Sequence, residues 1–312
     1  MTTRARKVSP RKTSPSVLHS PKLQKLGWLL HGFSTRIGGV SKAYGKADLN
    51  LGYTQDDKRT NVEKNRAVFL KAIGYAKSSP LPTLRQVHSD VIWRVDGPHD
   101  EPLFGDGLIT ATPGLPLAIQ TADCLPIILV DRKRRAVGVF HAGWRGTVKR
   151  IAEKGVGAMR LHFGSRPSDL IAAIGPGIHE CCYEVGEEVR GKFESQFGYA
   201  AELFRESANS DSVREKYPML FLTARAPGHS YGLLPKKIFL DLVEANRRQL
   251  LAVGLGAKNI EASPLCTNCH PELLFSYRAE KGKTGRMMAV AGIRDTGSIP
   301  PPPLVRRSLS SR

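Results

Sequence analysis

Short apolar runs recur through the middle of the chain, and they constrain its fold more than any other feature. Each run is bounded by glycine, proline or charged residues, a pattern that is typical of β-strands. None of them forms the roughly 18 to 20 residue apolar stretch that a membrane-spanning helix requires, so we expect no membrane association. The runs that predict strands are 26–34, 91–95, 117–130, 136–141, 170–174 and 287–293.

Segments with helical periodicity alternate with these strands. Ile238, Leu242 and Leu250, for example, recur near the spacing of one helix face. The alternation predicts the α/β class, with α+β as the alternative, and a mixed β-sheet flanked by helices. The segments that predict helices are 60–74, 146–160, 184–197 and 235–253.

Residues 27–295 contain no convincing Pro-, Gly- or Ser-rich linker, so we predict a single domain over this range. The chain has 312 residues, of which 41% are hydrophobic, and this suffices for a substantial core. The polar stretch 201–232 has weak periodicity, which predicts an extended excursion or a functional lid.

The formal net charge of +19 is concentrated at the two ends of the chain. Residues 1–26 carry seven basic and no acidic side chains, and residues 296–312 carry three basic and no acidic ones. Both ends lack a core-forming pattern, so we predict basic disordered tails. No helix-turn-helix or aromatic RNA-binding signature accompanies the charge, so we expect no specific nucleic-acid partner. Because no apolar segment follows the basic start, we expect a cytoplasmic protein without a secretory signal.

The five cysteines are too few and too unevenly placed for a secreted disulfide framework. Cys181 and Cys182 are adjacent, while Cys266 and Cys269 lie in Cys-Thr-Asn-Cys-His, which formally matches the attachment motif of c-type haem. Without an export signal we set haem aside, and the sequence shows no partner pair that completes a zinc knuckle around Cys266. We therefore predict that Cys266 and Cys269 serve packing or local structure and are not metal ligands.

Three other side chains combine into a candidate metal site. His88 follows a short strand-like stretch, Cys124 lies between two apolar runs, and His141 ends the run that starts at residue 136. Each of these residue types alone is more often an ordinary core or hydrogen-bonded group. Two imidazoles and a thiolate at three similar strand ends, however, form a ligand set suited to zinc, with copper as the less favoured metal. One coordination position is then left for water.

Six separated motifs connect this site to a longer pattern. In chain order they are His-Gly-Phe-Ser-Thr-Arg-Ile-Gly-Gly-Val-Ser from His31, Asn-Leu-Gly from Asn50, Gln-Val-His from Gln86, Asp-Cys-Leu-Pro from Asp123, His-Ala-Gly-Trp-Arg-Gly from His141 and Thr-Gly-Arg from Thr284. Together they resemble the YfiH-like laccase-domain family, which is also labelled polyphenol oxidase or purine nucleoside phosphorylase. The resemblance covers about residues 28–293, so it is long as well as specific.

The resemblance implies that His88, Cys124 and His141 bind a catalytic zinc ion. It also implies that purine nucleosides and inorganic phosphate are substrates, with phosphorolysis of adenosine, inosine and methylthioadenosine and deamination of adenosine as the activities. Arg36, in the first motif, resembles the family's candidate phosphate contact. Two segments depart from the family pattern, since Glu180 replaces a proline and 278–280 reads Arg-Ala-Glu in place of Arg-Arg-Asp. These departures leave the metal triad intact.

The chemistry is consistent with that implication. A zinc ion with three protein ligands lowers the pKa of a bound water towards neutrality, which supplies the nucleophile that deamination needs. Deamination also needs a proton carrier, and Asp123 and Glu184 are both candidates, while a structural role is equally open for either carboxylate.

Other functions stay open at this stage. The main alternative is a copper-dependent polyphenol oxidase, and others are a cytoplasmic editing factor for peptidoglycan precursors and a non-catalytic metal-stabilised binding protein. The oxidase has a chemical weakness, because multicopper oxidation needs many histidines and this chain has nine in all. Two histidines and one cysteine could hold one copper, but a single copper suits electron transfer better than four-electron oxygen reduction. The oligomeric state is not predicted.

Overall fold

The computed structural model describes residues 14–75, 81–82, 84–97, 103–207 and 236–295. Within these ranges the helices are α1 (Pro21–Gln24), α2 (Arg59–Ala72), α3 (Trp144–Val148), α4 (Ile151–Phe163), α5 (Glu187–Glu194) and α6 (Leu242–Ala252). The strands are β1 (Val17–Leu18), β2 (Leu29–Ser34), β3 (Ile37–Ser41), β4 (Leu84–Arg85), β5 (Ile92–Arg94), β6 (Leu103–Phe104), β7 (Gly107–Thr110), β8 (Leu117–Thr121), β9 (Leu125–Asp131), β10 (Ala136–Ala142), β11 (Leu170–Ile174), β12 (Glu184–Val185), β13 (Phe204–Ser207), β14 (Lys237–Leu240), β15 (Ile260–Ala262) and β16 (Met287–Ile293). The fold is therefore mixed α/β, as the sequence predicted.

The strands form two large sheets and two small ones. The first large sheet has four strands in the order β1-β2-β16-β8, and the second has six in the order β15-β11-β9-β10-β7-β5. The small sheets have the orders β12-β14-β13 and β4-β6. Most neighbouring strands are antiparallel, while β15, β5 and β6 pair in parallel with β11, β7 and β4. The single mixed sheet expected from the sequence is thus divided among several sheets.

The two large sheets pack face to face and are covered by helices on their outer sides. Ile128 and Val130 of β9 point towards the four-stranded sheet and contact the cluster that contains Phe33 of β2. Ile127 and Leu129 point the other way, into a cluster with α4, α5 and α6. Helix α2 covers the far side of the four-stranded sheet. Because β9 is buried on both faces, its sequence is an almost unbroken apolar run.

Several predicted element boundaries differ from those in the structure, where turns and pairing with distant strands set them. The run 117–130 is divided into β8 and β9 by a turn in which Asp123 has a φ of 88°. The helix predicted over 235–253 is wrong in its first part, because Lys237–Leu240 pairs with β12 and β13 as strand β14. The helix predicted over 146–160 is interrupted at Arg150, whose φ is 64°. The predicted helix 184–197 shrinks to α5 because Glu184–Val185 is a strand. Within the stretch 201–232, residues 201–203 belong to a short 3-10 helix and Phe204–Ser207 form β13, and residues 208–232 lie outside the described residues.

The predicted disordered tail 1–26 is wrong from residue 14 onward. Strand β1 pairs with β2, and the side chain of Leu23 in α1 is fully buried in the core between the large sheets. Ser20 caps α1 and donates a hydrogen bond of 2.5 Å to Glu261. The sequence pattern missed this segment because it holds only a few apolar side chains, which are buried by distant parts of the chain. Residues 1–13 and the tail predicted at 296–312 lie outside the described residues.

Leu23→Ala is expected to lower the free energy of unfolding by about 2 to 5 kcal/mol, as for other fully buried leucines. Gln24→Ala, at the exposed neighbouring position, is the matched control and should change it by less than about 0.5 kcal/mol. Urea denaturation measures both values. Equal midpoints for the two variants would show that the α1 segment contributes little to the folded state.

Among the described residues, no helix is long and apolar enough to cross a membrane.

Candidate metal centre

His88 lies in a tight turn that directly follows the small sheet containing β4. The backbone of His88 has a φ of 56°, in the left-handed region that few residues other than glycine adopt readily. The carboxylate of Asp106 holds this turn, because it accepts hydrogen bonds from the backbone amides of Val87, His88 and Ser89. The side chain of His88 is exposed, while the backbone that carries it is held by Asp106.

Cys124 lies in the turn where the chain leaves β8 in the four-stranded sheet and enters β9 in the six-stranded sheet. The preceding residue, Asp123, accepts hydrogen bonds from Thr267 Oγ1 at 2.6 Å and from the Arg278 amide at 2.7 Å. Its backbone carbonyl accepts a further hydrogen bond from the Ile178 amide. These contacts hold the left-handed conformation of Asp123 and so direct the Cys124 thiol.

His141 is almost fully buried near the end of β10. Its Nδ1 lies 2.8 Å from Oδ1 of Asp106, and its backbone amide donates to the Asp106 carbonyl. With Nδ1 directed at a carboxylate, Nε2 is the ring nitrogen available to a metal. A histidine ligand held by a carboxylate on its other nitrogen is the usual arrangement at protein zinc sites.

The three predicted ligands come together in space. Their ligand atoms all lie within 4.8 Å of one another, and the Cys124 Sγ is 3.9 Å from His88 Nε2. The two imidazole rings meet edge to face with their centroids 4.9 Å apart. Zinc bonds of about 2.0 to 2.3 Å to nitrogen and sulfur place tetrahedral ligand atoms about 3.3 to 3.8 Å apart, so small side-chain rotations suffice. The donor set therefore fits a zinc or copper ion.

A glycine leaves room for this arrangement. A Cβ atom at Gly143 would lie 2.8 Å from the Cys124 sulfur and 3.2 Å from Cδ2 of His88. Any larger residue would displace two of the three ligands. Because His141 is buried and His88 is exposed, the accessible side of the site is the side of His88.

The charges of Cys124, His141 and Asp106 depend on one another. Burial raises the pKa of the Cys124 thiol, but His141 and His88 lower it to about 6. Burial lowers the pKa of His141, while Cys124 and Asp106 raise it to about 9. Burial also raises the pKa of Asp106, which hydrogen bonds from His141 and Ser89 bring down to about 2. Both shifts favour the charged forms, a thiolate on Cys124 and an imidazolium on His141, and a metal ion would displace the His141 proton.

The sequence matches a known family over most of its length. Residues 30–294 match the family model described as multi-copper polyphenol oxidoreductase laccase. The chain belongs to this laccase-like family. All three candidate ligands and the six motifs lie within the matched range.

Several proteins similar to this chain are named for a nucleoside activity and not for a laccase. The chain is 38% identical over 266 residues to a protein of Deinococcus radiodurans named purine nucleoside phosphorylase, covering 84% of this chain and 88% of that one. It is 36% identical over 276 residues to purine nucleoside phosphorylase YlmD of Geobacillus stearothermophilus, covering 85% and 90%. The crystal structure of the hypothetical protein YfiH from Bacillus licheniformis aligns with a TM-score of 0.73 at 31% identity, covering 91% of this chain and 98% of that one.

Arg36, the phosphate contact expected from the family resemblance, is already engaged. Its guanidinium lies 3.0 Å from Asp48 and 3.2 Å from Glu280 and also donates to the backbone carbonyls of Pro271 and Tyr44. Its side chain is only 11% exposed, so a phosphate would have to displace buried carboxylates. These contacts indicate a structural role for Arg36, and phosphate binding by this residue stays a prediction from the resemblance.

Arg36→Ala is expected to destabilise the protein by about 3 kcal/mol, because it leaves two largely buried carboxylates without their cation. Arg59→Ala, which breaks the exposed Arg59–Glu63 pair, is the matched control and should cost less than about 1 kcal/mol. Chemical denaturation compares the two variants. An unchanged stability in Arg36→Ala, together with a selective loss of phosphate dependence in turnover, would support the phosphate role over the structural one.

The two predicted proton carriers have different surroundings. The Asp123 carboxylate is buried and is used by Thr267 and Arg278, so it acts on the site by shaping the Cys124 turn. The Glu184 side chain is exposed and pairs with Lys237 at 3.3 Å. Neither contact set resembles that of a free proton carrier.

Sequence reasoning missed two groups beside the ligands. Asp106 carries the hydrogen bonds of both His141 and the His88 turn, but in the sequence it is a lone aspartate between two glycines. Tyr183 is the second: burial and the charge of Cys124 raise the pKa of its phenol, so it stays protonated at neutral pH. The side chains of Arg278 and Arg145 also act on this phenol, and the Arg278 guanidinium lies 5.5 Å from the ring centroid.

Proposed function

We propose that the protein is a zinc-dependent purine nucleoside enzyme. In this proposal it cleaves adenosine, inosine and methylthioadenosine with inorganic phosphate and also deaminates adenosine. The observation that carries the proposal is the His88–Cys124–His141 ligand set, in which Asp106 holds both histidines through hydrogen bonds. The names of the two relatives supply the substrate class. The five cysteines are all free thiols, which suits the reducing cytoplasm that we propose as its location.

The residues of the site divide the work. His141 is held by Asp106 in the orientation that presents Nε2, and Cys124 contributes the one negative charge of the ligand set. His88 closes the set from the exposed side, where substrate enters. When bound, zinc supplies Lewis acidity and an activated water for hydrolytic deamination. We propose that the phenol of Tyr183, which stays protonated at neutral pH, donates a hydrogen bond to the departing purine.

Because Arg36 is already paired with Asp48 and Glu280, we assign phosphate binding to other arginines. Arg145 and Arg278 are exposed, and both lie close enough to Tyr183 for their charges to lower its pKa. Arginine binds phosphate through charge-assisted and often bidentate hydrogen bonds. We propose that these two arginines hold the phosphate beside the nucleoside ribose.

Copper-dependent phenol oxidation is the second candidate, because the family model bears that description. The described residues contain two groups of at least three metal-ligating side chains, namely this site and a group of four cysteines. Neither group is the histidine-rich cluster that multicopper oxygen reduction requires. The editing of peptidoglycan precursors stays a prediction from the resemblance.

In phosphate-free buffer, adenosine should still be converted to inosine and ammonia, because deamination consumes water. Ribose 1-phosphate and free base should appear only when phosphate is added, because phosphorolysis consumes that anion. Arg145→Gln and Arg278→Gln should each raise the KM for phosphate about tenfold or more, the cost of one charge-assisted contact, and leave deamination near the wild-type rate. Chromatography of the products measures inosine, ribose 1-phosphate and the free base.

Two results would contradict the proposal in different ways. An unchanged phosphate KM in both arginine variants would remove Arg145 and Arg278 from the phosphate site. A wild-type protein that turns over no nucleoside, but oxidises phenols with bound copper and molecular oxygen, would establish the oxidase instead.

A further inference from the structure

Four of the five cysteines meet at a second place in the fold, outside the site already described. Cys181 and Cys182 lie in the tight turn that follows β11, where the amides of Cys182 and Tyr183 both donate to the carbonyl of His179. Cys266 and Cys269 lie after β15. The two segments are 84 or more residues apart in the sequence and are joined by a parallel bridge between Gly177 and Cys266.

The sulfur atoms are spaced as metal ligands are. All four Sγ atoms lie within 4.8 Å of one another, and the Cys269 sulfur is 3.4 Å from that of Cys182 and 3.6 Å from that of Cys181. Four thiolates around a tetrahedral zinc ion at about 2.3 Å lie about 3.8 Å from one another. A disulfide would instead require about 2.05 Å between two sulfurs. Both adjacent thiols are turned towards Cys269, which a pair of unrelated core cysteines would not require.

The backbone prepares one of these sulfurs to carry negative charge. The Cys266 sulfur accepts a hydrogen bond from the His179 amide at 3.4 Å and is also contacted by the backbone of Asn268 and Cys269. Amide donors directed at a cysteine sulfur stabilise its thiolate, which is the form that binds metal. In a Cys-x-x-Cys turn these donors also fix the direction of the first sulfur.

We propose that Cys181, Cys182, Cys266 and Cys269 form a second metal site, which binds one zinc ion through four thiolates. The thiols lose their protons to solvent on binding, and no electron is transferred. With all four positions taken by protein sulfur, the ion has no place for water or substrate, so the site is structural. This assignment replaces the packing role predicted for Cys266 and Cys269.

The proposed ion joins two segments that hold the turn containing Asp123 and Cys124. Thr267, next to Cys266, and Arg278 bind the Asp123 carboxylate, while Ile178, near Cys181, binds its carbonyl. The four-cysteine site thus stabilises the support of Cys124 without contributing a ligand to the first site.

Metal analysis of full-length protein purified under reducing conditions tests the proposal. The wild type should hold about two zinc ions per chain, and Cys124→Ala and Cys269→Ser should each hold about one. After replacement of zinc by cobalt(II), Cys124→Ala should keep the intense absorption of a tetrathiolate centre, and Cys269→Ser should lose it. Asn268→Ser changes the same turn without removing a sulfur, and it should keep both ions.

A second measurement uses only the wild type, in case Cys269→Ser fails to fold. Cys181 and Cys269 are exposed, yet zinc should protect them from alkylation by iodoacetamide, and chelation of the zinc should remove the protection. Mass spectrometry of the peptides reads the modified residues. Equal alkylation with and without zinc, or two thiols missing from the count because a disulfide has formed, would overturn the proposal. Bound iron in place of zinc would overturn it as well.

Discussion

In Cys124→Ala, nucleoside turnover is expected to fall by at least about a hundredfold, and zinc at the His88–Cys124–His141 site should be lost. The thiolate is the only anionic ligand of the set, so alanine leaves two neutral imidazoles, one of them exposed, to hold a divalent cation. A water that is no longer bound to metal returns to its ordinary pKa and ceases to be a useful nucleophile near neutral pH.

Two further variants make this result specific. Ala122→Ser alters the same turn without touching a ligand, so it should keep its zinc and its activity. Cys124→Asp retains an anionic ligand and should recover part of the zinc that alanine loses. If Cys124→Ala keeps both full zinc occupancy at this site and full turnover, the assignment of Cys124 as a ligand is wrong.

Asp106→Asn is expected to weaken zinc binding or turnover by about ten- to a hundredfold, although residue 106 is not a ligand. The carboxylate of Asp106 accepts hydrogen bonds from His141 and from the turn that carries His88. An amide has only one acceptor atom, and its NH₂ group would face backbone donors. Both histidines should therefore lose part of their orientation.

Competition with a chromogenic chelator measures the zinc affinity of this variant, and steady-state kinetics measures its turnover. Asp90→Asn makes the same chemical change at a nearby carboxylate that pairs with Lys154, and it serves as the control. A fully retained affinity and rate in Asp106→Asn, equal to those of the control, would mean that the histidines are oriented by packing alone.

Strands buried on both faces were the most predictable part of the fold. The ranges 170–174 and 287–293 agree with β11 and β16, because the apolar run ends where burial ends. Strand β14 was mistaken for a helix, because its four residues are fixed by pairing with distant strands and not by their local pattern. Short-range periodicity carries no information about such partners.

The candidate site was predictable in its ligands but not in its support. His88, Cys124 and His141 each lie at a strand end or in an adjoining turn, and this position can be inferred from the sequence. Asp106 cannot be, since its role depends on a hydrogen bond to a histidine 35 residues away. The four-cysteine group was missed for the same reason, because its two halves are joined only by the folded backbone.

The three ligands of the first site have very different mechanical supports. His141 belongs to β10, which is buried along its whole length and pairs with β9 and β7 on its two sides. Such a central strand opens to hydrogen exchange only in the largest unfolding events, whereas turns such as those of His88 and Cys124 open more often. The backbone of His141 is thus the least mobile of the three, and His88 and Cys124 can adjust around it by side-chain rotation. The site can accept an ion through small movements of the His88 and Cys124 side chains, while His141 keeps its position.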